Sequence, residues 1–259
     1  MRPADAPPPL LSACELRSPR GGLNGGLNGE QDGAPHGERR CQARRDPYGT
    51  RAVSFDLHAG QLLHVQGANG SGKTSLLRML AGLLRPLSGA VYAQGCDVRR
   101  DPPAYFARVA FLGHANGLTG ELSALENMRY SLHVAGTPQD DDAIANALRT
   151  WRLDACLHTP AARLSQGQGR RLALAAVVLG GKPLWLLDEP DAGLDAASLD
   201  QLWAMLNTHL DRGGAAVVAS HRVPASAPML TQGLTASRTP TLNLDDYADA
   251  GYAVSVSAA

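Results

Sequence analysis

Apolar positions along this 259-residue chain fall into short blocks whose period switches between two and about 3.6. Leu10 to Arg17 reads as a short edge strand, and Ala52 to Leu57 alternates as a half-buried strand does. Leu62 to Gln66 is a mainly apolar run stopped by Gly67, the pattern of a strand covered on both faces. Lys73 to Leu84 has helical spacing and ends before Pro86, while Gly89 to Ala93 and Val109 to Leu112 are further short strands. Leu122 to Leu157 reads as mostly helical. A helix from Gln166 to Leu179 feeds strand Leu184 to Leu187, and a helix from Ala197 to His209 feeds strand Ala215 to Ala219. Strands alternating with helices predict an α/β fold with a mainly parallel sheet and helices on both faces.

The pattern also divides the chain. Residues 1–17 form an N-terminal segment with the edge strand, and 48–223 hold the regular α/β domain, with a helical subdomain at about 115–165. Between them, 18–47 is a Gly/Arg-rich stretch with a tandem Gly-Gly-Leu-Asn repeat and four arginines between Arg39 and Arg45. Its composition is that of a solvated, flexible insertion. In the tail, 224–259, only Thr241 to Leu244 and Tyr252 to Val256 carry weak strand signals.

Composition narrows the function classes. Lys+Arg and Asp+Glu balance at 24 each, which argues against a protein that coats nucleic acid. The longest apolar stretch, Leu172 to Gly181, is about half of what a bilayer requires. The start of the chain is Pro-rich, without the apolar run of a secretory signal. Four cysteines, none in a C-x-x-C pair, give no support to disulfides, zinc or covalent haem attachment and fit a reducing compartment. Only two of the 24 basic residues are lysines, Lys73 and Lys182. Lys182, in Gly-Gly-Lys-Pro, reads as a turn residue; Lys73 sits where a compact ammonium is needed.

That place is Gly67-Ala68-Asn69-Gly70-Ser71-Gly72-Lys73-Thr74, which satisfies G-x-x-x-x-G-K-[ST] between a strand and a helix. Glycines let backbone amides wrap a phosphate, and the following helix adds the positive end of its dipole. The same loop, with Ser75, predicts ATP binding: Lys73 on the β/γ-phosphates and the Thr74 hydroxyl on Mg²⁺. Leu184 to Leu187 ends in Asp188-Glu189, two carboxylates at the carboxyl end of a parallel strand, where such sheets bind ligands. Asp188 suits a group that holds Mg²⁺ through water and Glu189 a general base for the attacking water. Leu164-Ser165-Gln166-Gly167-Gln168 opens the helix into that strand, and taken alone Ser165 is equally a plain N-cap.

In the order P-loop, Ser-x-Gly-Gln, apolar strand, Asp-Glu, Ala192-Gly193-Leu194-Asp195 and His221, residues 48 to 222 resemble the nucleotide-binding domain of ATP-binding cassette (ABC) proteins. The resemblance implies an ABC-type P-loop NTPase with a small N-terminal antiparallel β region and a helical subdomain. It also implies a head-to-tail dimer in which Ser165, Gly167 and Gln168 contact ATP held by the second ATPase subunit. Asp195 then corresponds to the D-loop aspartate and His221 to the switch histidine, with Tyr48 roughly where an aromatic stacks on adenine. The stretch Leu112-Gly113-His114, with Leu122-Ser123-Ala124-Leu125-Glu126-Asn127 after it, is similar to the cytochrome c maturation family, the CcmA-like haem exporter ATPases. His114 stands where most ABC domains carry Gln; its imidazole either reaches Mg²⁺ or the attacking water, or merely packs the loop.

This second resemblance implies a peripheral ATPase on the cytoplasmic face of the inner membrane, docked to integral membrane subunits. Those partners handle haem or the haem-chaperone complex, and no direct nucleic-acid contact is expected. The engine alone also fits another small-molecule or lipid transporter, or a soluble ABC ATPase acting on nucleic acid or ribosomes.

Overall fold

The computed structural model describes residues 8–18, 52–220 and 239–244, together with the backbone of 254–256. In chain order the elements are β1 (Leu11–Arg17), β2 (Val53–Leu57), β3 (Leu62–Gln66), α1 (Lys73–Leu80), β4 (Ser88–Ala93), β5 (Cys96–Asp97), α2 (Pro102–Phe106) and β6 (Val109–Leu112). There follow α3 (Ala124–Val134), α4 (Asp141–Thr150), α5 (Gln166–Leu179), β7 (Leu184–Asp188), α6 (Ala196–Asp211), β8 (Ala215–Ala219), β9 (Thr241–Asn243) and β10 (Val254–Val256).

Five strands form an all-parallel sheet in the order β6-β7-β8-β3-β9. Its central strands β7 and β8 are buried at every position. Their period of two therefore feeds two cores. Leu184, Leu186, Val217 and Val65 face α1 and the second sheet, whereas Trp185, Leu187 and Val218 face α3, α5 and α6. Chain reversal between such parallel strands requires the intervening helices, as the alternating pattern predicted.

The second sheet has the order β10-β2-β1-β4-β5, with β1 antiparallel to both β2 and β4. The expected edge strand at 10–17 is thus an interior strand. Its second neighbour, β4, lies far along the sequence, beyond the reach of any local pattern. A register shift between Ala13 and Leu16 keeps both of them buried, and Glu15 there takes a left-handed φ of 48°. Gly89 answers that bulge: at φ +90°, a Cβ on it would lie 2.5 Å from the Glu15 carbonyl oxygen. Two elements escaped the hydrophobic pattern, β5 and α2. The signal for α2 was present, since Asp101 caps Ala104 N–H at 3.1 Å ahead of two prolines suited to a first turn.

Lys182, directly after the turn that ends α5, does more than an ordinary turn residue: it is buried, and its Nζ donates to the Phe106 carbonyl at 2.6 Å, tying the end of α5 to α2.

The helical region at 124–163 is held at its start by polar side chains. Ser123 and Glu126 form a capping box on α3, and buried Asn127 donates to the carbonyls of Thr119, Leu122 and Ser123 while accepting from Thr119 N–H. One amide thereby fixes the loop from 119 to 123.

On the α6 side, His209 stacks on Trp185 with ring centroids 3.8 Å apart and its Nε2 lies 3.2 Å from the Ala215 carbonyl. Burial holds both His209 and His64 below the ordinary imidazole value, against weaker upward effects of backbone carbonyls. The unfolded chain then binds more protons than the folded one below about pH 6.5, so stability is full above that pH and falls as the solution is acidified. The melting temperature should drop between pH 7.5 and 5.5, and His209→Gln should lessen that drop by a few degrees. An equal drop in both proteins would remove His209 from the account.

Candidate active site

The carboxyl ends of β3, β7 and β8 meet at one edge of the parallel sheet, and there the motif residues converge. After β3 the chain enters Gly67–Gly72, where Gly67, Gly70 and Gly72 take φ of 143°, 81° and 107°. Such values cost a side-chain-bearing residue energy and cost glycine little. Ala68, Asn69 and Gly70 are exposed, while Lys73 behind them is buried. Its Nζ donates to the carbonyls of Gly67 (2.7 Å) and Ala68 (3.0 Å), so the ammonium is drawn across the loop that surrounds it. Ser71 Oγ is buried without a hydrogen-bond partner among the described residues. Leucines 76, 77 and 80 anchor α1 in the core, which aims the helix N-terminus at the loop.

Asp188 ends β7 and is buried. One carboxylate oxygen takes a hydrogen bond from the Thr74 hydroxyl, and Oδ2 is buried with no hydrogen-bond partner among the described residues. Loss of hydration raises the Asp188 pKa; the Thr74 bond opposes this, the Glu189 carboxylate adds to it, and His114 and Arg170 oppose it weakly. Glu189 follows with a left-handed φ of 50°, a conformation that costs an L-residue roughly 1–2 kcal/mol. Its backbone is held from both sides: the N–H donates to Ala219 at 2.7 Å and the carbonyl accepts from Arg170 at 2.6 Å. The turn swings the Glu189 side chain out of the sheet, leaving it 32% exposed, with Oε2 3.4 Å from His114 Nδ1. His114 itself is 73% exposed, so it stands over the carboxylate instead of packing inside its loop.

Ser165, Gly167 and Gln168 form a separate group at the start of α5. Ser165 Oγ accepts from Gln168 N–H at 3.2 Å, and Gln168 Oε1 accepts from Ser165 N–H at 2.8 Å. Within one chain these two residues are therefore a capping box, and Gln168 Nε2 also reaches Cys156 Sγ at 3.3 Å. Gly167 lies against the turn before α6, where a Cβ would sit 2.6 Å from the Gly193 carbonyl oxygen. No larger residue fits without pushing the two turns apart. Asp195 caps α6 by accepting from Ser198 N–H at 2.8 Å, and those bonds from Ser198 hold its carboxyl below the usual range.

The edge thus assembles Lys73, Thr74, Asp188, Glu189 and His114, with Ser165, Gly167, Gln168 and Asp195 in the neighbouring turns. Tyr48 and His221, and residues 19–47 of the Gly/Arg-rich stretch, lie outside the described residues. Two residues at the edge escaped sequence reasoning. Asp191 accepts from Ser220 Oγ at 3.0 Å, which links the turn after β7 to the end of β8. Arg170 sits within the Arg-Arg pair that follows Ser-x-Gly-Gln, and nothing in the pattern separates it from Arg171. Among the described residues no cluster of three His, Cys, Asp or Glu side chains could hold a metal unaided.

The ABC transporter family model matches residues 50–192. A cytochrome c biogenesis ATP-binding export protein CcmA from Bordetella bronchiseptica is 58% identical over 202 residues, 78% of this chain and 87% of that protein. A protein of the same name from Cupriavidus metallidurans is 48% identical over 181 residues, 70% of this chain and 86% of its own length. Among solved structures, the dimeric structure of an ATP-binding cassette in a post-hydrolysis state bound to ADP and phosphate aligns at a TM-score of 0.63. It is 20% identical and covers 82% of this chain and 88% of its own, which establishes the shared fold. On this evidence the chain belongs to the ABC transporter ATP-binding family and, within it, to the cytochrome c biogenesis export proteins called CcmA.

Proposed function

We propose that the chain is the ATP-hydrolysing subunit of an ABC complex serving cytochrome c biogenesis, working as a head-to-tail dimer beneath integral membrane subunits. The observation that carries the hydrolytic reading is the pairing at the end of β7. Among the described residues a buried carboxylate oxygen of Asp188 lacks a hydrogen-bond partner beside the Thr74 hydroxyl, and the next residue turns its own carboxylate outward. A hard divalent cation fits that donor pair, and the remaining positions suit water and nucleotide phosphates. Thr74 and Asp188 would hold Mg²⁺, which when bound supplies positive charge to the β- and γ-phosphates.

The chain's own residues account for the remaining chemistry. Loop amides, the buried Ser71 hydroxyl and Lys73 bind phosphate, and Lys73 exchanges its two carbonyl partners for phosphate oxygens. Glu189 accepts the proton of the attacking water, with His114 beside it to orient that water or share the proton. Ser165, Gly167 and Gln168 present the α5 N-terminus to the γ-phosphate bound by the partner subunit, with Asp195 lining the same interface. His221 and Tyr48 keep the roles that the family resemblance gives them.

Membrane attachment fits this reading through partners. Among the described residues no helix is long and apolar enough to cross a bilayer. A cavity of about 260 Å³ opens between β6, α3 and α5, lined by Phe111, Leu118, Met128, Leu172 and Val177, and α3 leaves Tyr130 and Val134 exposed. An apolar segment of a membrane subunit suits that site. In cell fractionation the chain should pellet with membranes and be released by alkali or high salt; sedimentation with ribosomes instead would sink the transport reading.

A further inference from the structure

Arg170 belongs to none of the motifs that mark the nucleotide site, yet its guanidinium serves that site in every direction. The residue is 2% exposed. Nη2 donates to the carbonyls of Asp188 and Glu189, both at 2.6 Å, and Nε donates to that of Pro190 at 3.4 Å. On the other side Nη1 donates to the Gly113 carbonyl at 2.8 Å and to Asn116 Oδ1 at 3.0 Å. Three consecutive carbonyls thus turn toward one cation, and the loop that carries His114 is fastened to the same group. A buried cation is tolerated only when its donors are filled and its charge is met. Both conditions hold, because the carboxylates of Asp188, Asp191 and Glu189 lie near it.

We propose that Arg170 is a positioning residue for hydrolysis, holding the 188–190 turn and the 113–116 loop in one arrangement so that Glu189 and His114 meet over the attacking water. The inference rests on the reading of Glu189 as general base. Arg170 sits one turn into α5, whose first residues are offered to the partner subunit's nucleotide. Movement of that helix is therefore transmitted to the carboxylate and to the loop of His114 together. The planar fork is required: a lysine carries its three donors on one nitrogen and cannot reach the five acceptors that the guanidinium holds on opposite sides.

The test uses the full chain purified with its membrane partners. Arg170→Lys should lower kcat by about 10–100-fold, the cost of misplacing a reacting group by about an ångström. KM for ATP and affinity for ADP should stay within about threefold, less than 1 kcal/mol of binding. In Arg170→Ala, millimolar guanidinium ion should restore part of the lost turnover, which a merely collapsed site would not allow. A kcat within twofold of the native value in Arg170→Lys, a parallel loss of nucleotide affinity, or no rescue of Arg170→Ala would each overturn the proposal. Glu189→Gln keeps the two readings apart. If it is inactive while Arg170→Lys is fully active, only the role of Arg170 falls; if it is active, the general-base reading falls first.

Discussion

Glu189→Gln should bind ATP as the native chain does and hydrolyse it about 10²–10⁴-fold more slowly, the contribution of a positioned general base. The substitution is close to isosteric, and the strained φ of 50° is held through the Glu189 backbone, whose N–H donates to the Ala219 carbonyl and whose carbonyl accepts from the Arg170 guanidinium. The turn should therefore persist while the proton acceptor is lost. Nucleotide affinity measured by equilibrium binding, beside single-turnover hydrolysis, separates the two effects. Near-native turnover would remove Glu189 from the chemistry and leave His114, its neighbour at 3.4 Å, as the group to examine next.

Ser165→Arg should abolish hydrolysis while the same chain still binds ATP at Lys73. Ser165 caps α5, so its loss also costs about 1 kcal/mol of stability, and the variant should remain folded. The arginine, however, projects from an exposed helix start into the space that the partner's γ-phosphate would fill. Lys73→Ala disables the other half of the composite site. Mixing the two variants forms one intact site, from the native Gly67–Thr74 loop of one chain and the native Ser165–Gln168 turn of the other, so partial activity should return. If the mixture is as inactive as its parts, the head-to-tail arrangement fails.

How much of this was legible beforehand differs by element. β3, β6, β8 and α5 have the bounds that the hydrophobic pattern predicted, because Gly67, Gly113 and Gly180 end three of these runs and Gly213-Gly214 precede the fourth. The interior position of β1 was not legible, since β4 reaches it through an antiparallel pairing that leaves no mark on residues 10 to 17. The anchoring bond of Lys182 was not legible for a similar reason: its acceptor, the Phe106 carbonyl, is 76 positions away.

In the site, the P-loop and the Asp-Glu pair were readable because their chemistry requires fixed residue types at fixed places in strand and helix. The clamp made by Arg170 was not, because its partners are backbone carbonyls, which every residue has. Only the fold aims three of them at one guanidinium. His114 was readable as a departure from the usual Gln, and its distance to Glu189 is what gives the departure chemical content.

The central claim joins ATP hydrolysis at this edge to cytochrome c biogenesis, and haem staining of cells tests it most directly. A strain lacking its own copy of this subunit is supplied with the native chain, with Glu189→Gln at equal abundance, or with neither. Haem-stained c-type cytochromes should return with the native chain and stay absent with the variant. Equal restoration by both, or mature cytochromes in the strain that received neither, would contradict it.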